Sequence, residues 1–444
     1  MDDAASDQIR HLKRELEFAR QRSLGVPDWA RVLALRVQEL RWTLNRWAGR
    51  GHLQDGVAPS LEALRAVEDI AIPATIAQPT PRLFFDMTRT YGSAYRTGIQ
   101  RVTRAICQTG VAENLACPII EKDGRFLSLT DLQPAPFTAG DRIILFDASW
   151  INTRVAEAAL AGKAAGAEII LGLYDTTPLD LPGYTAPTNT ETFAAWLRAL
   201  APQASALVAI SRSAAEDFAD WAPKLGLAVD ALPAGWFALG ADLPAVARQN
   251  APAPAPRPYF LSVGTLEPRK GYATALAAFD LLWERGAQAS YVIVGKQGWD
   301  VDGLAADIRA HREFGKRLFW MQGVDDAALA SLYRDAHALI LPTAAEGFGL
   351  PLVEAAHFGV PAIVSDIAVF REIAGDQVTY FKRFDARALS NALHDALTSR
   401  PLPPEIAPVS WRDSALALFD MTRHARYQST IGTLRARTAR RAEA

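Results

Sequence analysis

Residues 259–285 read YFLSVGTLEPRKGYATALAAFDLLWER. The first five are the aromatic, branched and small residues of a buried strand, and the stretch from Tyr272 reads as a helix. Between them lies GTLEPRKG, residues 264–271, a loop that leaves a strand and enters a helix. Ligands of open α/β sheets bind at the carboxyl ends of strands, so a ligand is expected at this loop. Two adjacent cations, Arg269 and Lys270, stand in it. Arginine offers a planar fork and lysine a compact charge, a combination suited to a diphosphate. Taken alone, the pair reads equally well as a solvated basic loop.

The same alternation extends in both directions. Downstream, strands are expected at 291–294, Leu318–Met321, Ala338–Leu341 and 362–364. Upstream they are expected at 83–85, 142–146, Glu168–Leu173 and 206–210, with helical stretches at 99–108 and 153–165. Strand and helix in alternation predict a parallel sheet with helices on both faces, an α/β fold. The alternating Ala-Pro of residues 249–258 (QNAPAPAPRP) reads as a semi-rigid linker. The expected organisation is an extension over 1–80, one α/β domain over 81–248, the linker, a second α/β domain over 259–409, and a C-terminal segment over 410–444.

The extension shows apolar residues at helical spacing, first Ile9, Leu12, Leu16 and Ala19, then Leu33, Val37, Leu40, Leu44 and Trp47. Arg31, Arg36, Arg41, Arg46 and Arg50 accompany the second set. Such a face packs on protein, including a second copy of the chain, or rests peripherally on an anionic membrane. The basic segment 421–444 reads either as a solvated terminus or as a contact for anionic lipid.

Bulk properties narrow the function. The 444 residues hold 47 Lys plus Arg against 49 Asp plus Glu, which argues against a nucleic-acid binder. Two cysteines, Cys107 and Cys117, make neither a disulfide framework nor a cysteine metal site. The first twenty residues are charged and lack a signal core, and no apolar run approaches a bilayer span; a cytoplasmic protein is expected.

A second segment sharpens the first. Residues 346–354 read EGFGLPLVE and follow the strand Ala338–Leu341. Pro351 suits the first position of a helix, where a missing N–H costs nothing. Glu354 is then expected in the first helical turn, with Glu346 in the loop before it. The amides of Gly347, Phe348, Gly349 and Leu350 converge on the helix N-terminus, an anion site.

EGFGLPLVE, with its E-x7-E spacing, and GTLEPRKG before it resemble the donor half of glycosyltransferase family 4, of GT-B fold. Residues 294–299 (VGKQGW), 359–361 (GVP) with 365–367 (SDI), 370–372 (FRE), 97–102 (TGIQRV) and 209–213 (AISRS) resemble further segments of its bacterial mannosyltransferase-like members. The resemblance runs from about residue 83 to 418. It implies two Rossmann-like domains facing each other across a cleft, and a retaining hexosyltransferase that uses a nucleotide-sugar donor.

The resemblance also implies roles. Arg269 and Lys270 would hold the donor diphosphate, beside Gly264 and Thr265. Glu346 would contact the transferred sugar and Glu354 the ribose. Val324, after the strand Leu318–Met321, would lie against the base. Gly98 would let the backbone approach the donor or acceptor, and residues 411–419 would form the helix that returns to the first domain. No cofactor and no metal are expected; Asp300-Val301-Asp302 reads as a chance match to a metal motif. The donor would be a GDP-, UDP- or dTDP-sugar, and the acceptor a saccharide or lipid-linked sugar in surface polysaccharide synthesis. Many relatives carry His-Asp where this chain has Tyr174-Asp175. Tyr174 cannot supply an imidazole, and Asp175 either activates the acceptor or caps a turn. A non-catalytic sugar-nucleotide-binding scaffold and a nucleotide-sugar epimerase share the architecture.

Overall fold

A computed structural model describes residues 70–93, 98–185, 187–241 and 255–443. The helical extension, with its membrane and self-association readings, thus lies outside the described residues except for its last part. The described chain divides into two compact units.

The first unit holds, of the described residues, 70–93, 98–180, 187–240 and 410–443. Its elements are β1 (Leu83–Asp86), α1 (Ile99–Ala112), β2 (Cys117–Lys122), β3 (Arg125–Ser128), β4 (Arg142–Leu145), α2 (Thr153–Ala164), β5 (Glu168–Leu173), α3 (Thr177–Asp180), α4 (Pro187–Leu200), β6 (Ala206–Ala209), α5 (Arg212–Lys224) and β7 (Pro233–Trp236). The strand order is β14-β7-β6-β5-β4-β1-β2-β3, where β14 (Ser429–Thr430) is a late arrival in the chain. Only the β2–β3 and β7–β14 pairs are antiparallel. Strands β1, β4, β5 and β6 are buried almost without a break, as a sheet covered on both faces requires.

The second unit holds, of the described residues, 181–185, 241 and 255–409. Its elements are β8 (Tyr259–Val263), α6 (Tyr272–Glu284), β9 (Ser290–Val294), α7 (Asp302–Ala310), β10 (Leu318–Met321), α8 (Asp326–Asp335), β11 (Ala338–Leu341), α9 (Leu350–His357), β12 (Ala362–Ser365), α10 (Ala368–Ala374), β13 (Thr379–Phe381) and α11 (Ala386–Thr398). All six strands are parallel, in the order β10-β9-β8-β11-β12-β13. Alternate residues serve opposite cores: Phe260, Tyr291, Ile293 and Ile340 face α6, while Tyr259, Leu261, Val292 and Leu339 face α8 and α9. Each such side chain contributes about 1.5–3 kcal/mol by leaving water. The result is two Rossmann-like units, the content of the GT-B architecture.

The chain ends in α12 (Trp411–His424), β14 (Ser429–Thr430) and α13 (Ile431–Glu443), all in the first unit. Phe419 of α12 lies against Gly110 and, at 6.0 Å between ring centroids, Phe85. In its described part the tail is a helix seated on the first unit rather than a solvated terminus. Ile431 and Leu434 are fully buried, Thr438 donates to Asp220 at 2.6 Å, and Arg435 pairs with Asp230 at 2.7 Å. Those two apolar residues at helical spacing anchor α13 despite its basic composition. Among the described residues no helix is long and apolar enough to cross a membrane.

Candidate functional site

The site grows from the carboxyl ends of β8, β9 and β11. Beyond β8, Gly264 N–H donates to the Val294 carbonyl at 2.9 Å and Leu266 N–H to the Lys296 carbonyl at 2.9 Å. The loops after β8 and β9 therefore run side by side past the sheet edge. They lie so close that a Cβ on Gly295 would strike the Gly264 carbonyl. Residues Pro268–Lys270 then make a single 3-10 turn, closed by Gly271 at φ 70°.

Gly271 fixes where that turn sits. A Cβ there would strike the Pro342 carbonyl at the end of β11. Gly271→Ala combines this overlap with a left-handed backbone, and is expected to destabilise the second unit by about 2–4 kcal/mol. Thermal melting would show it; a melting temperature within about 2 °C of the parent protein would refute it.

From the β11 side, Ala344 N–H donates to the Arg269 carbonyl at 2.7 Å, and the buried Thr343 hydroxyl bonds the same carbonyl at 3.1 Å. The two loops are thereby tied, and their charged side chains meet. Lys270 Nζ lies 2.5 Å from Glu346 Oε1. Arg269 lies 3.7 Å from Glu346 Oε2 and, through Nε, 3.1 Å from Glu267 Oε2. Burial works to raise the Glu346 pKa, but Lys270 first and Arg269 second outweigh it, holding the carboxyl below its usual range. Two cations thus face two carboxylates, and the cluster is balanced without a ligand.

Glu267 and Thr343 were not singled out in the sequence. Glu267 stands two residues before Arg269 in GTLEPRKG, whereas Thr343 carries no signal until β8 and β11 are known to be neighbours.

Helix α9 begins at Leu350, with Gly349 at its N-cap in the left-handed region at φ 97° and no side-chain cap. A Cβ on Gly349 would crowd the Phe370 ring at 2.5 Å, so the sharp entry needs glycine. Phe348 is buried beside it. Two expectations need correction. Leu350 takes the first helical position and Pro351 the second, so Glu354 falls in the second turn rather than the first. Its carboxylate is buried, and Oε2 accepts the Tyr333 hydroxyl at 2.7 Å. Val324 is half-buried, packed on the same apolar core as Tyr333. Asp302 accepts from Gln297 at 2.7 Å, and no group of potential metal ligands occurs among the described residues.

Gly98 and Asp175 belong to the first unit and are described within it. Gly98 precedes α1 at φ 48°, with open space where a Cβ would stand. Asp175 Oδ1 accepts the Thr177 N–H at 2.9 Å, the turn-capping alternative. Tyr174 points into the core. Its hydroxyl donates to the Phe146 carbonyl at 3.0 Å and meets the Thr103 hydroxyl at 3.2 Å, and burial pushes its pKa well up.

Two further carboxylates, unmarked in the sequence reading, stand at and just beyond the ends of β1 and β4. Asp147 is buried and accepts the N–H groups of Arg89, Thr90 and Ala148 and the Thr90 hydroxyl, at 2.7–2.9 Å. Burial, and then the charge of Asp147, push the Asp86 carboxyl up to about 7. Their bonds fix the turn over residues 87–93, ahead of Gly98.

Comparison with known proteins adds relatives to this geometry. The chain is 32% identical over 395 residues to the serotype-specific mannosyltransferase WbdA of Escherichia coli, covering 80% of this chain and 48% of that protein. It is 38% identical over 114 residues to a phosphatidyl-myo-inositol mannosyltransferase of Mycolicibacterium smegmatis, covering 25% of this chain and 28% of that one. The chain spans about half the length of the WbdA proteins it matches. Among solved structures, Anabaena HepE in complex with UDP and glucose superposes with a TM-score of 0.53 at 14% identity, covering 82% of this chain and 99% of HepE, a likeness of fold. Residues 246–408, the stretch that carries Arg269, Lys270, Glu346 and Glu354, match the family described as glycosyl transferases group 1.

Proposed function

We propose that this chain is a retaining, metal-independent glycosyltransferase of family 4 type. It moves a hexose, mannose or a close relative, from a nucleoside-diphosphate sugar to a saccharide or lipid-linked acceptor in surface polysaccharide synthesis, at the cytoplasmic face of the membrane. The observation that carries this reading is the meeting of Arg269, Lys270 and Glu346 at the carboxyl ends of β8 and β11. Mannosyl transfer is the activity named for the relatives WbdA and phosphatidyl-myo-inositol mannosyltransferase.

The chemistry follows from the charges. A departing nucleoside diphosphate gathers negative charge, and fixed cations in a partly dry site stabilise it. Arg269 and Lys270 supply two, and the uncapped N-terminus of α9, with the amides of Gly347–Leu350, supplies partial positive charge without a metal. Gly264 and Thr265 line the same loop, Glu346 takes the sugar hydroxyls, Glu354 the ribose and Val324 the base. Gly98 and the turn that Asp175 caps serve the acceptor side. Retention follows if acceptor and leaving group share one face of the sugar.

A thermal-shift series with GDP, UDP and dTDP in EDTA tests the reading. One nucleotide is expected to raise the melting temperature by several degrees at millimolar concentration, and its mannosyl or glucosyl ester to be hydrolysed or transferred with retention, by NMR of the product. No shift and no turnover with any of the three would refute it.

A further inference from the structure

We propose that Tyr333 is a positioning residue that makes the donor site selective for ribonucleotides, by fixing the Glu354 carboxylate for the ribose hydroxyls. The proposal rests on the reading that this unit binds a nucleoside diphosphate.

Tyr333 lies more than two turns into α8, and Glu354 in the second turn of α9. Both helices start at the carboxyl edge of the sheet and run away from it, since each follows a strand, β10 or β11. Side chains on a helix lean back toward its N-terminus, so both point toward that edge. Tyr333, set deeper, comes up beneath Glu354, and its hydroxyl donates to Oε2 at 2.7 Å. The tyrosine cannot swing aside. It is fully buried, and its ring stacks on Phe358 at 5.6 Å and 14°, with the Arg334 guanidinium over the Phe358 ring at 5.4 Å. A carboxylate held by such a donor keeps a fixed orientation, which is what recognition of vicinal hydroxyls requires. A carboxylate serving only α9 would need no such support.

Titration calorimetry with GDP, UDP and their 2′-deoxy counterparts tests this. The parent protein is expected to prefer the ribonucleotide of its own base by about tenfold or more, the worth of one hydrogen bond to a charged group. Tyr333→Phe removes one oxygen and keeps the ring, and is expected to reduce that preference to within about threefold, mainly by weakening the ribonucleotide. Glu354→Gln is expected to do the same, and the double variant to add nothing, because the two residues act as one. Undiminished preference in Tyr333→Phe, equal weakening of ribo and deoxy forms, or a parent protein indifferent to the 2′-hydroxyl would each overturn the proposal. A parent protein that binds none of GDP, UDP and dTDP would instead remove the functional reading, and this inference with it; one that binds dTDP alone would overturn the inference and leave that reading standing.

Discussion

Lys270→Ala is expected to lower kcat/KM by about a hundred- to a thousandfold, the usual cost of one preorganised electrostatic contact to a developing anion. The ammonium is well placed for that work. It is largely shielded from water, on a turn whose position Gly271 and the Arg269 carbonyl fix from the β11 side. Once drawn from Glu346 to a bound diphosphate, it therefore needs little further reorganisation when the leaving group departs. Arg269 remains in the variant and keeps part of the charge, so some activity survives. Nucleoside diphosphate affinity is expected to weaken by only about tenfold, because binding the ground state uses less of the charge than stabilising the transition state. Steady-state kinetics with the donor found by thermal shift would decide; a loss under about fivefold would mean that Lys270 is not on the leaving group.

What the sequence shows of this molecule depends on how local each feature is. Strands β4, β5, β8, β9 and β11 are continuous apolar runs because both faces of their sheets are covered. By contrast β3, β7, β13 and β14 escaped sequence reading. They are two to four residues long with partly exposed positions, and are strands only because a neighbour pairs with them. The six-residue β2 also escaped, although its first four residues are buried. In the site, Arg269, Lys270 and Glu346 could be marked because glycines and charges beside apolar strands are conspicuous in one dimension. Their partners could not. Thr343 reaches Arg269 only because β8 and β11 are adjacent in the sheet while distant in the chain. Tyr333 is an ordinary apolar-face residue of α8 until its hydroxyl is seen on Glu354. Tyr174 turns its ring into the core, a direction no spacing rule encodes.

Glu346→Gln should separate binding from turnover. In the structure Glu346 already holds Lys270 at 2.5 Å and lies 3.7 Å from Arg269. A diphosphate that claims both cations must loosen those contacts and approach an ionised carboxylate, whose pKa is held low by the same cations. At 4 Å two unit charges interact by about 4 kcal/mol in a partly shielded site, an upper figure before relaxation and screening. Removing the negative charge therefore releases the cations and removes a repulsion. Nucleoside diphosphate affinity is expected to rise, by about five- to thirtyfold, when a quarter to a half of that energy is recovered. The ligand-free protein pays for the change: two partly buried cations lose a partner, so its melting temperature falls and the ligand-induced rise grows. Turnover goes the other way. If the freed carboxylate of the parent protein is what grips the sugar hydroxyls as Lys270 moves to phosphate, the amide cannot replace it, and kcat falls by about a hundredfold or more. Calorimetry beside kinetics gives both numbers on one preparation. Tighter diphosphate with collapsed turnover supports an exchange of partners at Lys270. Diphosphate affinity falling in parallel with kcat would show that Glu346 merely props the loop, and would remove it from the sugar site.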